Sequence, residues 1–245
     1  MNDTSAHNGS RMARILKRSG KWLLVLLAVM FIADTAWTRS GSSEWKLVSD
    51  QDGIRVSSMK TPGYSLLKYK VDMRVEAKLS DVVFYMSDLN TGYDVGATDI
   101  RRLEEVAVAP QFYAYDNYKL DLKPFGKLDV MIVNQYVQDP VTKQVRINVY
   151  AAPNKMPVDP AVRRIVHLSN NFTLTPVKAG GVDIELLSEM DLGLPYLLQN
   201  MVMGGVAHEE SQKMREMLGK DKYKNGKPAF IVEPDDDQQL ARAAH

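Results

Sequence analysis

Asp191–Leu218, DLGLPYLLQNMVMGGVAHEESQKMREML, is the stretch whose reading decides the fold. Pro195 stands where a first helical turn accepts proline, because its missing N–H has no intrahelical partner there. Leu194, Leu198, Met201, Val202 and Gly205 recur at helical spacing, and Met214, Met217 and Leu218 continue the face. His208, Glu209, Glu210, Gln212, Lys213, Arg215 and Glu216 supply a polar side. Gly219 is a C-terminal stop. At 1.5 Å per residue the helix spans roughly 36 Å, long enough to cross a whole sheet. The apolar face is rich in Met and Gly. Such a face fits soft core packing, and it equally fits the lid of a cavity for a flexible apolar ligand.

Upstream of this helix the chain reads as β-rich for a long way. Strand candidates are Arg101–Ala109, Gln111–Leu122, Leu128–Gln138, Gln144–Ala152, Val166–Thr175 and Val182–Asp191. Turn signals such as Pro124-Phe125-Gly126, Asp139-Pro140 and Ala179-Gly180-Gly181 separate them. Strands joined by short turns argue for antiparallel pairing. Val145, Ile147, Val149 and Ala151 share one face; so do Leu168, Asn170, Phe172 and Leu174; so do Val182, Ile184, Leu186, Ser188 and Met190. One sheet face is therefore apolar and needs a cover, and the C-terminal helix is the long amphipathic element available. Earlier, Ile54–Met59 and Tyr64–Val75 read as strands. Ser80 is the expected N-cap of a short helix carrying Val82, Val83, Met86 and Leu89. The expectation is an α+β fold in which a curved antiparallel sheet grips a long helix around an internal apolar cavity. Asn170, Ser188 and Asn134 interrupt the inward face. They either bond one another or orient a polar ligand head. Leu168, Asn170, Phe172, Leu186, Ser188, Leu194, Leu198, Met201 and Val202 are the expected ligand-binding residues.

The amino end has a different character. Arg11, Arg14, Lys17, Arg18 and Lys21 precede an uninterrupted apolar run, Trp22–Ala33, which Asp34 ends. This fits an export signal, and Trp22–Thr38 reaches the lower limit of a membrane span, about 17 residues. Signal peptide and signal anchor both fit, with cleavage after Thr35 or Ala36 weakly specified. Positive flanks stay cytoplasmic, which puts the body in a bacterial periplasm, tethered or released. The segments read as a basic leader over 1–21, the signal or anchor over 22–38, a linker over 39–43, one domain over 44–220 and a charged, mostly disordered tail over 221–245, whose one apolar island, Ala229–Val232, is able to dock on the body.

Lys+Arg 31 against Asp+Glu 30 leaves a net charge of +1, which favours no nucleic-acid partner. Cysteine is absent, so disulfides, thiolate metal sites, cysteine nucleophiles and cysteine lipidation are excluded. His208-Glu209 lacks the second His of a zinc-protease helix, since Gln212 stands there. Neither a nucleophile elbow nor a phosphate-binding glycine loop occurs. Asp235-Asp236-Asp237 reads as a solvated acidic run rather than a calcium loop. The reading expects no cofactor, no metal and no catalytic residue.

Four segments together resemble the START lipid-transfer family. Trp45-Lys46-Leu47 with Asp52-Gly53-Ile54-Arg55-Val56 looks like the family's opening strand. Leu79-Ser80-Asp81-Val82-Val83 with Asp88 looks like its first helix. Val162-Arg163, then Asn171-Phe172-Thr173-Leu174-Thr175-Pro176, is similar to a segment that usually carries Trp at the Phe172 position. Asp191–Asn200 looks like the approach to the final helix, with its glycine pair reduced to Gly193. The resemblance runs from Glu44 to Leu218. It implies a helix-grip fold and a cavity for one lipid or sterol-like molecule, bound without chemistry. Two other readings stay open. One is a cyclase- or aromatase-like enzyme of the same superfamily, which needs an acid or base inside; alternation puts His167 outside. The other is a ligandless, membrane-tethered interaction module.

Overall fold

The computed structural model describes residues 5–94, 96–178 and 180–234. The chain divides into two units. One joins helix α1 (Ser5–Arg39), the linker to Glu44 and the segment Lys60–Ser65; the other holds Trp45–Met59 and the chain from Leu66 on.

The second unit carries the sheet. Its elements are β1 (Trp45–Gln51), β2 (Ile54–Met59), β3 (Lys68–Val75), α2 (Leu79–Ser87), the single turn α3 (Thr91–Asp94), β4 (Ala97–Val108), β5 (Gln111–Asp121), β6 (Lys127–Gln138), β7 (Val145–Ala151), β8 (Arg163–Arg164), β9 (Leu168–Pro176), β10 (Val182–Met190) and α4 (Tyr196–Leu218). The strands run in the order β1-β2-β3-β10-β9-β7-β6-β5-β4, antiparallel throughout, and β8 adds to β6 in parallel. This is the expected antiparallel sheet with a long final helix. The two-residue β8 escapes the period-2 pattern because it is too short to show one.

Register arranges the inner face into rows that cross the sheet. Ile54, Met73, Ile184, Leu174 and Val145 form a fully buried apolar row. Next come Val56, Val71, Leu186, Phe172, Ile147, Tyr136 and Phe112. The third row turns polar: Ser58, Tyr69, Ser188, Asn170, Val149, Asn134 and Ala114. Beyond it, Ile132 faces Asp116, and Asp116 faces Arg102. Burial and polarity thus change together across one surface.

Helix α4 grips this sheet with Met214, Met217 and Leu218, as expected, but in its first half by a face other than the expected one. Gln199, Gly204, Ser211 and Leu218 are its buried residues, and Met203, Ala207, Met214 and Met217 pack on the core. Met201 is 75% exposed and Val202 39% exposed, so both look outward. At 100° per residue the two faces lie roughly opposite each other. Hydrogen bonds set the rotation. The Tyr69 hydroxyl donates to the Asn200 carbonyl at 2.9 Å, and the Leu67 N–H donates to Asn200 Oδ1 at 2.9 Å. The Gln199 side chain bonds the Met190 carbonyl at 2.6 Å and the Leu192 N–H at 3.1 Å. Small residues let the helix come close: a Cβ on Gly204 would lie 3.0 Å from Val48 Cγ1.

The segment after α4 corrects another expectation. Read as mostly disordered from residue 221 with only the island Ala229–Val232 docking, it is packed over Tyr223 as well as over the island. Tyr223 is fully buried, edge-on to Tyr85 and Phe84 at 5.1 and 6.0 Å. Its charges are used rather than solvated: Lys222 bonds Asp88 at 2.6 Å. Phe230 stacks on Phe112 with centroids 4.2 Å apart. The Gln138 side-chain amide clasps the backbone of Val232 at 2.8 and 2.9 Å. Glu233 accepts the Ser80 N–H at 2.5 Å, so a carboxylate from the tail serves the start of α2. Ser80 is inside that helix, not its N-cap. The acidic run Asp235–Asp237 lies outside the described residues.

Candidate functional site

The inner face of the sheet carries the residues expected to bind ligand, and a cluster of polar side chains lies at one end of it. Arg102, on β4, directs its guanidinium across to β5. Nε donates to Asp116 Oδ1 at 2.8 Å and Nη2 to Asp116 Oδ2 at 3.2 Å. Nη2 also reaches the Ser87 carbonyl at the end of α2, 3.0 Å away, where the helix dipole favours a cation. Nη1 meets Glu105 at 2.6 Å. Asn134 donates to Asp116 Oδ2 at 2.7 Å. Burial works against the charge on Arg102, but the bonds to and charges of Asp116 and Glu105 outweigh it and hold the guanidinium above its ordinary pKa. The Tyr136 hydroxyl, beside this group, donates to the Met86 carbonyl at 3.2 Å, and burial raises its pKa well above the usual phenol range. Tyr118 is likewise pushed up to about 12, first by burial and then by the charge of Asp116.

Of the residues expected to bind ligand, the structure brings four together. Phe172 and Leu186 are cross-strand partners, half-buried against the main core. Asn170 and Ser188 are partners too, with Ser188 Oγ donating to Asn170 Oδ1 at 2.7 Å. Their polarity is thus satisfied mutually, which is the plainer of the two readings offered for them. Leu168 shares the face but sits in a second cluster with Leu128, Val130, Ile132 and Ile165. Leu194 and Leu198 are half-buried. Met201 and Val202 do not join the site; the rotation of α4 turns them away. The expected face holds at Met214, Met217 and Leu218 and fails in the first half, where Asn200 and Gln199 carry the buried bonds while Met201 and Val202 are left outside.

Sequence reasoning missed Arg102, Asp116 and Glu105. One signal was available. On an antiparallel pair, Arg102 and Asp116 face each other directly, and an acid at an inward position of β5 needs a cation in reach. His167 is exposed, as alternation expected. Among the described residues, no three His, Asp or Glu side chains are grouped to hold a metal.

The outer face is different in kind. Arg74 binds Asp183 through both nitrogens at 2.6 and 2.9 Å, Arg55 pairs with Asp50, and Lys70 with Asp72. These residues line an open groove of about 880 Å³. Its charges are paired within and across strands, so it does not suit an apolar ligand.

No family model matches the chain, and no curated protein matches it. Its fold does match solved structures. A STAR-related lipid transfer protein fragment from Xanthomonas axonopodis is 22% identical, with 72% of this chain and 99% of that one covered and a TM-score of 0.63. Human STARD10 is 14% identical over 75% of this chain and 76% of that one, with a TM-score of 0.63. Human StAR-related lipid transfer protein 5 is 12% identical over 85% and 97%, with a TM-score of 0.59. At these identities the likeness concerns architecture, and on that ground the chain has the helix-grip fold of the START domains.

Proposed function

We propose that the body binds one apolar molecule with a polar head, without chemistry, between α4 and the inner face of the sheet and outside the cytoplasm. One observation carries the reading: the inner rows pass from fully buried aliphatic residues to an arginine–aspartate pair that still has a replaceable partner. Glu105 is half exposed where it bonds Nη1 of Arg102. An acceptor on a ligand, such as a hydroxyl, carbonyl or phosphate oxygen, can take that place while Asp116 stays bound. Phe172, Leu186, Ile147 and Phe112 then contact the apolar part. The similar structures are named as lipid-transfer proteins, which supports the ligand class. The basic leader and apolar run support export.

The enzyme reading is the weaker. An acid or base must face the substrate, and His167 is exposed while Asp116 is held by Arg102 and Asn134. Native mass spectrometry of the full chain, released gently from its own membranes, tests the proposal. A single lipid per chain is expected, and Arg102→Met should lose it. An empty chain that also takes up no lipid from vesicles overturns the proposal and favours the interaction module.

A further inference from the structure

Helix α1 and the segment Lys60–Ser65 form a unit with its own logic. Lys21–Arg39 is a 19-residue candidate span of mean hydropathy 1.5, with none of it buried in protein. Trp22 and Trp37 stand near its two ends, roughly 22 Å apart along a helix. Tryptophan favours the membrane–water interface, and the 19 residues Lys21–Arg39 cover roughly 28 Å, close to the about 30 Å apolar core of a bilayer.

At the Trp37 end the chain is closely fitted. The Trp37 indole N–H donates to the Ser65 carbonyl at 2.8 Å. The hydroxyls of Thr38 and Ser65 meet at 2.9 Å. Gly63 N–H donates to the Thr38 carbonyl at 2.8 Å, and Ser43 N–H to the Lys60 carbonyl at 3.2 Å. The Lys60 ammonium sits among carbonyls: Thr38 at 3.3 Å, Ser40 and Thr61 at 3.2 Å each, and Tyr64. It also lies 5.3 Å from the centre of the Trp37 ring. A cation there completes the carbonyls that a helix end leaves without partners. Burial lowers its pKa. Gly41 holds φ +116°, and a Cβ on it would stand 2.3 Å from the Lys60 carbonyl oxygen. The linker over 39–43 is therefore a fitted piece, and glycine is required at position 41.

We propose that α1 is retained as a membrane anchor and that Lys60–Ser65 clasps its outer end, holding Trp37 and Tyr64 in the headgroup layer of the bilayer. Two features separate this from a cleaved signal. Thr35 and Ala36, the candidate cleavage points, lie inside a helix that runs unbroken to Arg39. The residues just beyond them are bonded to the loop rather than extended toward a protease. Tyr64 is 63% exposed at the same end, which suits an aromatic ring facing headgroups. The proposal rests on export alone and not on ligand binding.

The test uses the full chain in the inner membrane of a bacterial host. Intact mass should match the whole 27.6 kDa chain, and the protein should resist alkaline carbonate extraction. A product beginning at Ala36 or Trp37 overturns retention. Because the chain has no cysteine, Thr38→Cys with Ser65→Cys reports the clasp cleanly. The pair should cross-link in most molecules on mild oxidation of intact membranes, and at least tenfold less with Gly41→Ala or Lys60→Gln added. Retention with equal cross-linking in all backgrounds overturns the fitted clasp; so does no cross-linking at all. A polarity-sensitive dye on Tyr64→Cys should emit as in an interface, and a water-like spectrum overturns the headgroup placement.

Discussion

Two arginine–aspartate pairs sit on opposite faces of the same stretch of sheet, and they are built for different ends. Arg164 and Asp129 are 4% and 5% exposed. Asp129 Oδ2 takes Nε and Nη2 of Arg164 at 2.9 and 2.6 Å, and Oδ1 takes Asn117 at 2.6 Å. The remaining N–H groups go to the carbonyls of Pro153, Met156 and Pro157. Every strong site is filled from within, so this pair is a clamp that ties the long loop before β9 to β6. Arg102 and Asp116 are 21% and 8% exposed, and one bond of the arginine goes to a half-exposed glutamate. The same two residue types give a closed structural clamp on one face and, on the other, a pair with a half-exposed partner, which we propose recognises the ligand. What differs is the number of internal acceptors supplied.

The largest expected effect is at the clamp. Arg164→Met leaves the Asp129 carboxylate buried with Asn117 alone, and stability should fall by about 3–5 kcal/mol. Chemical denaturation measures this. A loss under 1 kcal/mol would mean that Asp129 reaches water, and the contrast between the two pairs would collapse.

Arg102→Met should behave otherwise. Asp116 is buried too, at 6%, but it keeps the Asn134 hydrogen bond, so about 2–3 kcal/mol is expected. Bound lipid should be lost, while Glu105→Gln should retain it because Glu105 is the partner a ligand replaces. Equal loss of stability at Arg102 and Arg164, with lipid uptake unchanged, would make both pairs structural.

The difference between these pairs also shows what the chain discloses in advance. Strands, their antiparallel pairing and the final helix follow from period and turn residues, because both are local. The identity of the inward face on β9 and β10 follows as well, since alternation is strict within a strand. The phase of the helix's first half does not follow. It depends on Asn200 meeting Tyr69 and Leu67 across more than a hundred residues. The role of Arg102 was hidden for the same reason: only register puts it opposite Asp116. The packed tail was hidden because its charges look solvated until Asp88 and Asp81 are seen to receive Lys222 and the Gly226 N–H.

A smaller effect concerns that tail. Phe230 lies on Phe112 and Tyr136, at 4.2 and 5.2 Å between centroids. Phe230→Ala should cost about 1–2 kcal/mol, the stacking plus a partly buried ring. Acid should loosen the same segment. Burial of Asp88 works to raise its pKa, but hydrogen bonds from Lys222 and Asn90 outweigh it and leave it below the usual carboxylate value. A depressed carboxylate contributes stability that is present above its unfolded pKa and is lost as pH falls through its folded one. Amide exchange at Tyr223 and Val232 should therefore speed up below about pH 4 before the sheet opens. Exchange that follows global unfolding at every pH would show the tail to be part of the core.

The smallest effect tests whether α4 or the tail yields when the interior is filled. Gly204 and Gly205 are adjacent in the helix but meet different surroundings. A Cβ on Gly205 meets nothing within 4 Å, whereas on Gly204 it meets Val48 at 3.0 Å and Tyr69 at 3.7 Å. Gly205→Ala should therefore gain about 0.5–1 kcal/mol from helix propensity alone. Gly204→Ala should gain less, because Val48 must shift on the edge strand before the methyl fits. If α4 is a rigid cover, lipid exchange between vesicles is unchanged in Gly205→Ala while melting temperature rises. Phe230→Ala then speeds exchange, since the ring covers Phe112 and Tyr136 on the inner face. If Gly205→Ala slows exchange instead, the helix bends at this point to admit ligand. The tail is then a fixed wall, and access to Arg102 runs past the exposed side of α4, where Leu197 and Met201 lie.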